Sequence, residues 1–272
     1  MGFVNRHLFG FLWRRHRLSA STCALAPCVL GVLVGLIYPT LSGQREAAKS
    51  LLKIGQRFFG GSQHLDLFSA LGAFTMPFQH PVALILFAVI GAIPATALPA
   101  GERGRGGLDL LLATPLERRS LVATVGCFQS LLGFMIGMGA YAGALLGAGL
   151  AGEWVHIPVG QFLVLMLNAA ALSFCWGSVA LVVSVHASDR STAMRSTFIL
   201  VFGFFLVDIA SRLWREGRWL GNLTPYGFLR PADSVGPMGD AGLAWRNIVI
   251  LLTTSLALQI WAAKAEVTRA TA

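Results

Sequence analysis

The sequence predicts an all-α integral membrane protein with six transmembrane helices. Hydrophobic residues make up 55% of the 272 residues, and charged residues make up only 12%. The hydrophobic residues are concentrated in runs of about 20, and a helix of that length crosses a hydrocarbon core of about 30 Å. The stretches between the runs are too short for a separate soluble domain, so residues 1–272 are predicted to form a single transmembrane domain.

The chain begins with a segment that mixes aromatic and basic side chains. Within residues 1–18, Phe11 and Trp13 accompany Arg14 and Arg17, a composition typical of a helix that lies in the membrane interface. We expect an interfacial helix here that leads into the first transmembrane helix. No convincing cleavage site follows the first apolar run, so no signal peptide is predicted.

Six apolar runs follow in order along the chain. They comprise residues 19–41, 80–100, 120–150, 158–185, 195–214 and 245–263. Proline removes a backbone donor inside a helix, so kinks are expected at Pro27 in the first run and at Pro94 and Pro99 in the second.

Small and polar residues inside the runs predict how the helices pack. Two Gly-x-x-x-Gly pairs in the third run predict close helix contacts, either within one bundle or with a second copy of the chain. They are Gly133 with Gly137 and Gly143 with Gly147. Five polar residues could either line a polar path or hold helices together: Gln129, Ser130, Gln161, Asn168 and Ser173. The four cysteines lie in apolar runs and are interpreted as small buried residues.

Two longer segments connect the runs on the side predicted to be outside. Residues 42–79 contain a basic stripe with a spacing of four on an otherwise apolar helix, which suits the outer leaflet, an acidic external partner protein or solvent. The stripe consists of Arg45, Lys49, Lys53 and Arg57. Residues 215–244 alternate turn-forming and apolar residues, which predicts short re-entrant or interfacial helices.

The segment 101–119, between the second and third runs, is charged and rich in glycine. From Glu102 it reads Glu-Arg-x-Arg-Gly-Gly-Leu-Asp-Leu-Leu-Leu-Ala-Thr-Pro-Leu-x-Arg-Arg. This order resembles the first cytosolic segment of permease subunits of type-two ATP-binding-cassette exporters. Two positions depart from the usual pattern: Gly104 and Gly107 stand where a charged residue and a threonine are more common. Each glycine weakens a helix by about 1 kcal/mol relative to alanine, so we expect the helix to begin near Leu108.

The resemblance implies that residues 101–119 form a coupling helix that docks on a separate ATPase subunit. The coupling residues would be Glu102, Arg103, Arg105, Gly107, Leu108, Leu111, Leu112 and Pro115. The leucines would fill a groove on the ATPase, and the charged residues would contact its rim. The resemblance also implies export, an outer helical hairpin between the fifth and sixth spans, and assembly with a second permease copy, by preference as a homodimer.

No motif for catalysis is found in the chain itself. The six histidines are scattered, and no Gly-x-x-x-x-Gly-Lys-Ser/Thr phosphate loop occurs. The chain is therefore predicted to be no enzyme and to hold no cofactor, with ATP and Mg²⁺ bound by the partner ATPase. Basic residues gather at the ends of the apolar runs, so the net charge of +9 indicates contact with lipid rather than nucleic acid.

Topology follows from the even number of spans, which places both termini on one side. Slightly more Lys and Arg residues fall on the inside if the termini are cytosolic, in agreement with the positive-inside rule. The chain is thus predicted to be a multi-pass protein of the cytoplasmic membrane. Residues 1–18, 101–119, 186–194 and 264–272 would be cytosolic.

Asp208 is the only carboxylate deep inside a predicted span. An isolated charge there costs about 2.5 to 3.5 kcal/mol on insertion scales, so a partner is expected, and Arg212 is one helical turn away. If Asp208 instead titrates, the chain would be an ion-coupled secondary transporter. A further alternative is a membrane anchor or assembly factor for an envelope enzyme.

Overall fold

A computed structural model describes residues 4–43, 69–108, 117–214, 216–236 and 239–269. Within these ranges the chain forms ten α-helices, three 3-10 turns and one π turn, and no β-strand. Six of the helices are long and apolar enough to span a membrane. The prediction of an all-α integral membrane protein with six spans is confirmed.

The helices are numbered α1 to α10 in chain order. They are α1 (Arg6–Gly43), α2 (Ala70–Phe74), α3 (Met76–Gln79), α4 (Pro81–Ala95), α5 (Gly101–Arg103), α6 (Arg118–Leu150), α7 (Val159–His186), α8 (Arg190–Leu213), α9 (Pro231–Ser234) and α10 (Ala241–Arg269). The spans are α1, α6, α7, α8, α10 and the continuous stretch Pro81–Arg103, which contains α4 and α5.

The first helix is longer than the sequence suggested. Residues 6–18 are helical as predicted, but they continue without a break into the first span. Their apolar side packs on α6, because Leu8 and Leu12 are buried and the ring of Phe9 meets that of Phe128 at 5.5 Å. From Arg6 onward the amino-terminal segment therefore packs in the helix bundle and is continuous with the first span, rather than forming a separate helix before it.

The second span bends where proline was expected to bend it. Helix α4 continues through Pro94 and passes into a π turn over Thr96–Ala100. Within this turn Leu98 has extended backbone angles (φ −138°, ψ 130°), immediately before Pro99. The kink predicted at Pro99 is confirmed, and α5 follows directly after it.

Three helices form the centre of the bundle. In the most apolar 18-residue stretch of α4, α6 and α7, 61 to 72% of the residues are buried, whereas in the same stretch of α1, α8 and α10 the share is 22 to 28%. Trp176 of α7 is fully buried. The outer helices expose large apolar side chains such as Leu25, Leu206 and Ile260, as expected of surfaces that face lipid.

Both glycine pairs of α6 are used inside the chain. A Cβ atom on Gly133 or Gly137 would lie 2.8 or 2.7 Å from a backbone oxygen of α7. A Cβ on Gly143 would lie 2.6 Å from Cα of Cys28 in α1, and a Cβ on Gly147 would clash with the backbone carbonyl of Gly31. These glycines therefore allow intramolecular packing, which was one of the two interpretations left open.

The connecting segments differ in how much the structure describes. In residues 42–79, the helices α2 and α3 place Phe74 and Phe78 in the core, whereas the basic stripe lies outside the described residues. In residues 215–244, 3-10 turns over Arg218–Leu223 and Pro225–Phe228 precede α9. Short helices were predicted there, and Asn168 of α7 anchors them by donating from Nδ2 to the Phe228 carbonyl at 3.0 Å.

Candidate functional site

One end of the bundle collects most of the charged side chains that the structure describes. It comprises the start of α1, the kinked end of the second span, the starts of α6 and α8, and the ends of α7 and α10. We call this end the basic face, defined by Arg15, Arg103, Arg105, Arg118, Arg190 and Arg269. The predicted coupling segment emerges from this face.

The coupling segment starts as a direct continuation of the second span. Helix α5 ends at Arg103, and a turn over residues 104–106 follows. Gly106 has a φ of +71°, a left-handed conformation that favours glycine. The chain is helical again at Gly107 and Leu108, in accord with the predicted start near Leu108. Residues 109–116, with Leu111, Leu112 and Pro115, lie outside the described residues.

The two unusual glycines of this segment allow close packing. A Cβ on Gly104 would lie 2.9 Å from Cβ of Asp189, and a Cβ on Gly107 would lie 2.8 Å from Oε2 of Glu102. Leu108 is 4% exposed and packs in the chain's own core. Leu108 therefore fixes the segment to the bundle, whereas its predicted contact with an ATPase would require it to leave this position.

Glu102 connects the segment to the first helix. Its Oε1 accepts a hydrogen bond from Nη1 of Arg15 at 2.8 Å and lies 3.8 Å from Nη1 of Arg105. The Arg105 side chain is 59% exposed. Of the three predicted rim charges, Arg105 is thus the one that points to solvent, and Glu102 is engaged within the chain.

A buried carboxylate at the end of α10 joins both ends of the coupling segment. Glu266 is 1% exposed and accepts hydrogen bonds from Arg103 at 2.8 Å and from Arg118 at 3.2 Å. Arg103 precedes the segment's central turn, and Arg118 is the first residue of α6. Glu266 therefore links the second, third and sixth spans at the basic face.

Two arginines also cap the last carbonyls of α7. Arg103 Nη1 donates to the Ala187 carbonyl at 2.8 Å, and Arg269 Nη1 donates to the Val185 carbonyl at 2.6 Å. Positive charge at a helix carboxyl end is favourable, because unpaired carbonyls and the helix dipole make that end negative. The fourth span is thus tied into the same network.

The sequence pointed to Arg103 but not to Glu266. The predicted sixth span ended at residue 263, which left Glu266 in a cytosolic tail. In the structure α10 runs to Arg269. The signal was present as a helical repeat, because the buried residues Leu251, Ser255, Ala262 and Glu266 follow one another at whole turns of α10.

The predicted pair of Asp208 with Arg212 is formed. Oδ2 of Asp208 lies 2.7 Å from Nη2 of Arg212, with side-chain exposures of 2 and 15%. The pair lies near the end of α8 that is opposite the basic face. Tyr226 packs close by, between the rings of Trp176 and Phe205 at 5.2 and 5.7 Å. Burial, and secondarily the charge of Asp208, raises the pKa of the Tyr226 hydroxyl.

Polar side chains in the centre of the bundle bind one another and nearby carbonyls. Gln129 Nε2 donates to the carbonyls of Gly177 at 2.9 Å and Gly91 at 3.3 Å. Gln259, which the sequence analysis did not single out, donates from Nε2 to Gln129 Oε1 at 2.9 Å and to Ser178 at 3.1 Å. Four spans are therefore joined here, which favours the role of holding helices together over that of a polar path.

Comparison with known proteins gives one family. A family model described as "Multidrug efflux system permease Rv1217c, C-terminal domain" matches residues 6–264. The matched region begins at the first residue of α1 and ends within α10, so it covers the first five spans and most of the sixth. Searches of curated proteins and of solved structures gave no match.

Proposed function

We propose that this chain is the transmembrane subunit of an ATP-binding-cassette exporter. The chain is a multi-pass membrane permease and belongs to the family of the multidrug efflux permease Rv1217c C-terminal domain. It would work with a separate cytosolic ATPase and with a second permease copy. ATP and Mg²⁺ would be bound by the ATPase. The basic face would be cytosolic and the membrane would be the cytoplasmic one.

The observation that carries this proposal is the attachment of the coupling segment to the bundle. An external motor can move spanning helices only if the docking segment is rigidly connected to them. Glu266 provides that connection, because its carboxylate holds Arg103 before the segment's turn and Arg118 at the segment's end. A displacement of the segment would therefore pull the second, third and sixth spans together.

The proposed transport cycle follows from this connection. Closure of the ATPase subunits around ATP would draw the two coupling segments towards each other. This would favour one of two bundle arrangements, since a ligand shifts an equilibrium only by binding one state better than the other. The largely apolar spans suit an amphipathic substrate better than a highly charged one.

The docking contact can be tested by co-purification of the ATPase with the permease. Leu111→Asp should abolish complex formation, because a buried apolar anchor contributes more than an exposed rim charge, typically worth about 0 to 1 kcal/mol. Leu223→Asp is the matched control, because Leu223 is 60% exposed on the opposite face. If the ATPase still co-purifies with the Leu111 variant at wild-type yield, the docking assignment is wrong.

A second variant separates docking from transmission. Glu266→Gln removes the charge that holds Arg103 and Arg118 while leaving the segment's exposed surface unchanged. We expect this variant to retain the ATPase but to lose most of the stimulation of ATP hydrolysis by substrate. Wild-type stimulation in Glu266→Gln would show that Glu266 does not transmit the motion.

A further inference from the structure

A narrow cleft lies between α4 and α8, and Arg190 of the basic face lies at one end of it. Its walls are apolar and include Val89, Ala92 and Ile93 of α4 and Phe198 and Val201 of α8. Thr96 and Thr197 also line it, but each hydroxyl donates to a carbonyl of its own helix. The walls of the cleft are therefore apolar along most of its length, which is the surface that a hydrocarbon chain contacts favourably.

One cation stands at the charged end of this cleft. Arg190, the first residue of α8, lines the cleft, and its Nε–H is buried without a hydrogen-bond acceptor. Within the part of the chain that the structure describes, Arg190 forms no ion pair. The Arg190 side chain as a whole is half-buried, and a buried guanidinium N–H is stabilised best by an anionic acceptor.

The charges around Arg190 increase the preference for an anion. Arg15 and Arg105 lie close enough to act on it electrostatically, and both are positively charged. The neighbouring carboxylate, Asp189, caps α8 instead: it accepts from the backbone N–H of Thr192 at 3.0 Å and from the Thr192 hydroxyl at 2.8 Å. These hydrogen bonds lower the pKa of Asp189 to about 2, so Asp189 is ionised and already occupied.

We propose that this cleft binds one anionic phospholipid from the adjacent monolayer. The phosphate would accept hydrogen bonds from Arg190, whose planar guanidinium matches two phosphate oxygens. One acyl chain would lie between α4 and α8 against Ala92 and Phe198. Arg190 lies where a span meets the basic face, which is the depth of lipid head groups. The inference does not depend on an ATPase partner.

Native mass spectrometry of the full chain in neutral detergent can test this site. The probes are palmitoyl-oleoyl phosphatidylglycerol and palmitoyl-oleoyl phosphatidylcholine, which have the same acyl chains and differ in net charge. Wild-type protein should retain one phosphatidylglycerol more tightly than phosphatidylcholine. Arg190→Gln should weaken that binding about tenfold, and Arg190→Lys should weaken it less, because a point charge remains without the planar fork.

Two controls make the outcome specific. Arg119→Gln removes one exposed charge from the same face and should leave lipid binding unchanged. Ala92→Phe keeps all charges but fills the cleft and should reduce phosphatidylglycerol binding. Equal binding by Arg190→Gln and Arg119→Gln, or equal retention of the two lipids by wild-type protein, overturns the proposal. Displacement of the lipid by inorganic phosphate alone would overturn the acyl-chain part.

Discussion

At the scale of single residues, both carboxylates that are buried in the described part of the chain, Asp208 and Glu266, are compensated by a nearby positive charge. Each has an arginine at 2.7 to 2.8 Å. Asp208 and Arg212 are one turn apart on one helix, so their contact could be predicted from sequence. The contact of Glu266 with Arg103 joins positions 163 residues apart, and no local pattern specifies it.

The role of Asp208 can be decided by substitution. Asp208→Asn leaves Arg212 unpaired near the end of α8, where its side chain can extend to water. We expect a stability loss of about 1 to 2 kcal/mol, between the values of exposed and fully buried pairs. The double exchange Asp208→Arg with Arg212→Asp should recover part of it. The measurements are thermal unfolding and substrate-stimulated ATPase activity of the reconstituted complex.

The alternative of ion-coupled transport makes the opposite prediction for the same variants. If Asp208 is a proton or cation site, Asp208→Asn should be stable and assembled but inactive, and the exchange with Arg212 should not restore transport. Near-normal stimulation of the ATPase by Asp208→Asn would exclude an essential charge at this position.

At the scale of helices, the spans could be predicted because lipid requires long apolar runs. All six predicted spans correspond to observed helices. The ends of the helices were harder to predict, because α1 and α10 extend beyond their apolar runs, where charged residues face the bundle as well as water. The turn of the coupling segment packs against a distant residue, since Gly104 lies close to Asp189, and the sequence does not reveal this contact.

The contact between α1 and α6 gives a prediction at this scale. Gly143→Val places methyl groups where Cys28 of α1 already lies, since even a Cβ would be 2.6 Å from Cα of Cys28. Overpacking of this kind typically costs about 1 to 3 kcal/mol, so the unfolding temperature should fall. Gly203→Val is the control, because no atom lies within 4 Å of a Cβ built at Gly203 in α8. Equal unfolding temperatures for the two variants would contradict the observed packing.

At the scale of the whole molecule, the arrangement of helix ends assigns each described connection between spans to one of two faces. Helix α6 starts at Arg118 on the basic face and ends at Leu150, so the turn over Trp154–His156 lies on the opposite face. Asp240, which precedes α10, lies on that face too. The helix ends therefore determine which residues share a side of the membrane, but the assignment of the cytosolic side depends on a small excess of Lys and Arg.

Accessibility of single cysteines in intact cells tests this choice of side. In a background without the four native cysteines, Val155→Cys and Asp240→Cys should react with an impermeant thiol reagent, because Val155 is 90% exposed and Asp240 is exposed just before a helix start. Arg105→Cys, which replaces a side chain that is 59% exposed, should react only after the cells are permeabilised. Its reaction in permeabilised cells serves as the control for exposure. The reverse labelling pattern would place the basic face outside, and a cytosolic ATPase could then not reach residues 101–119.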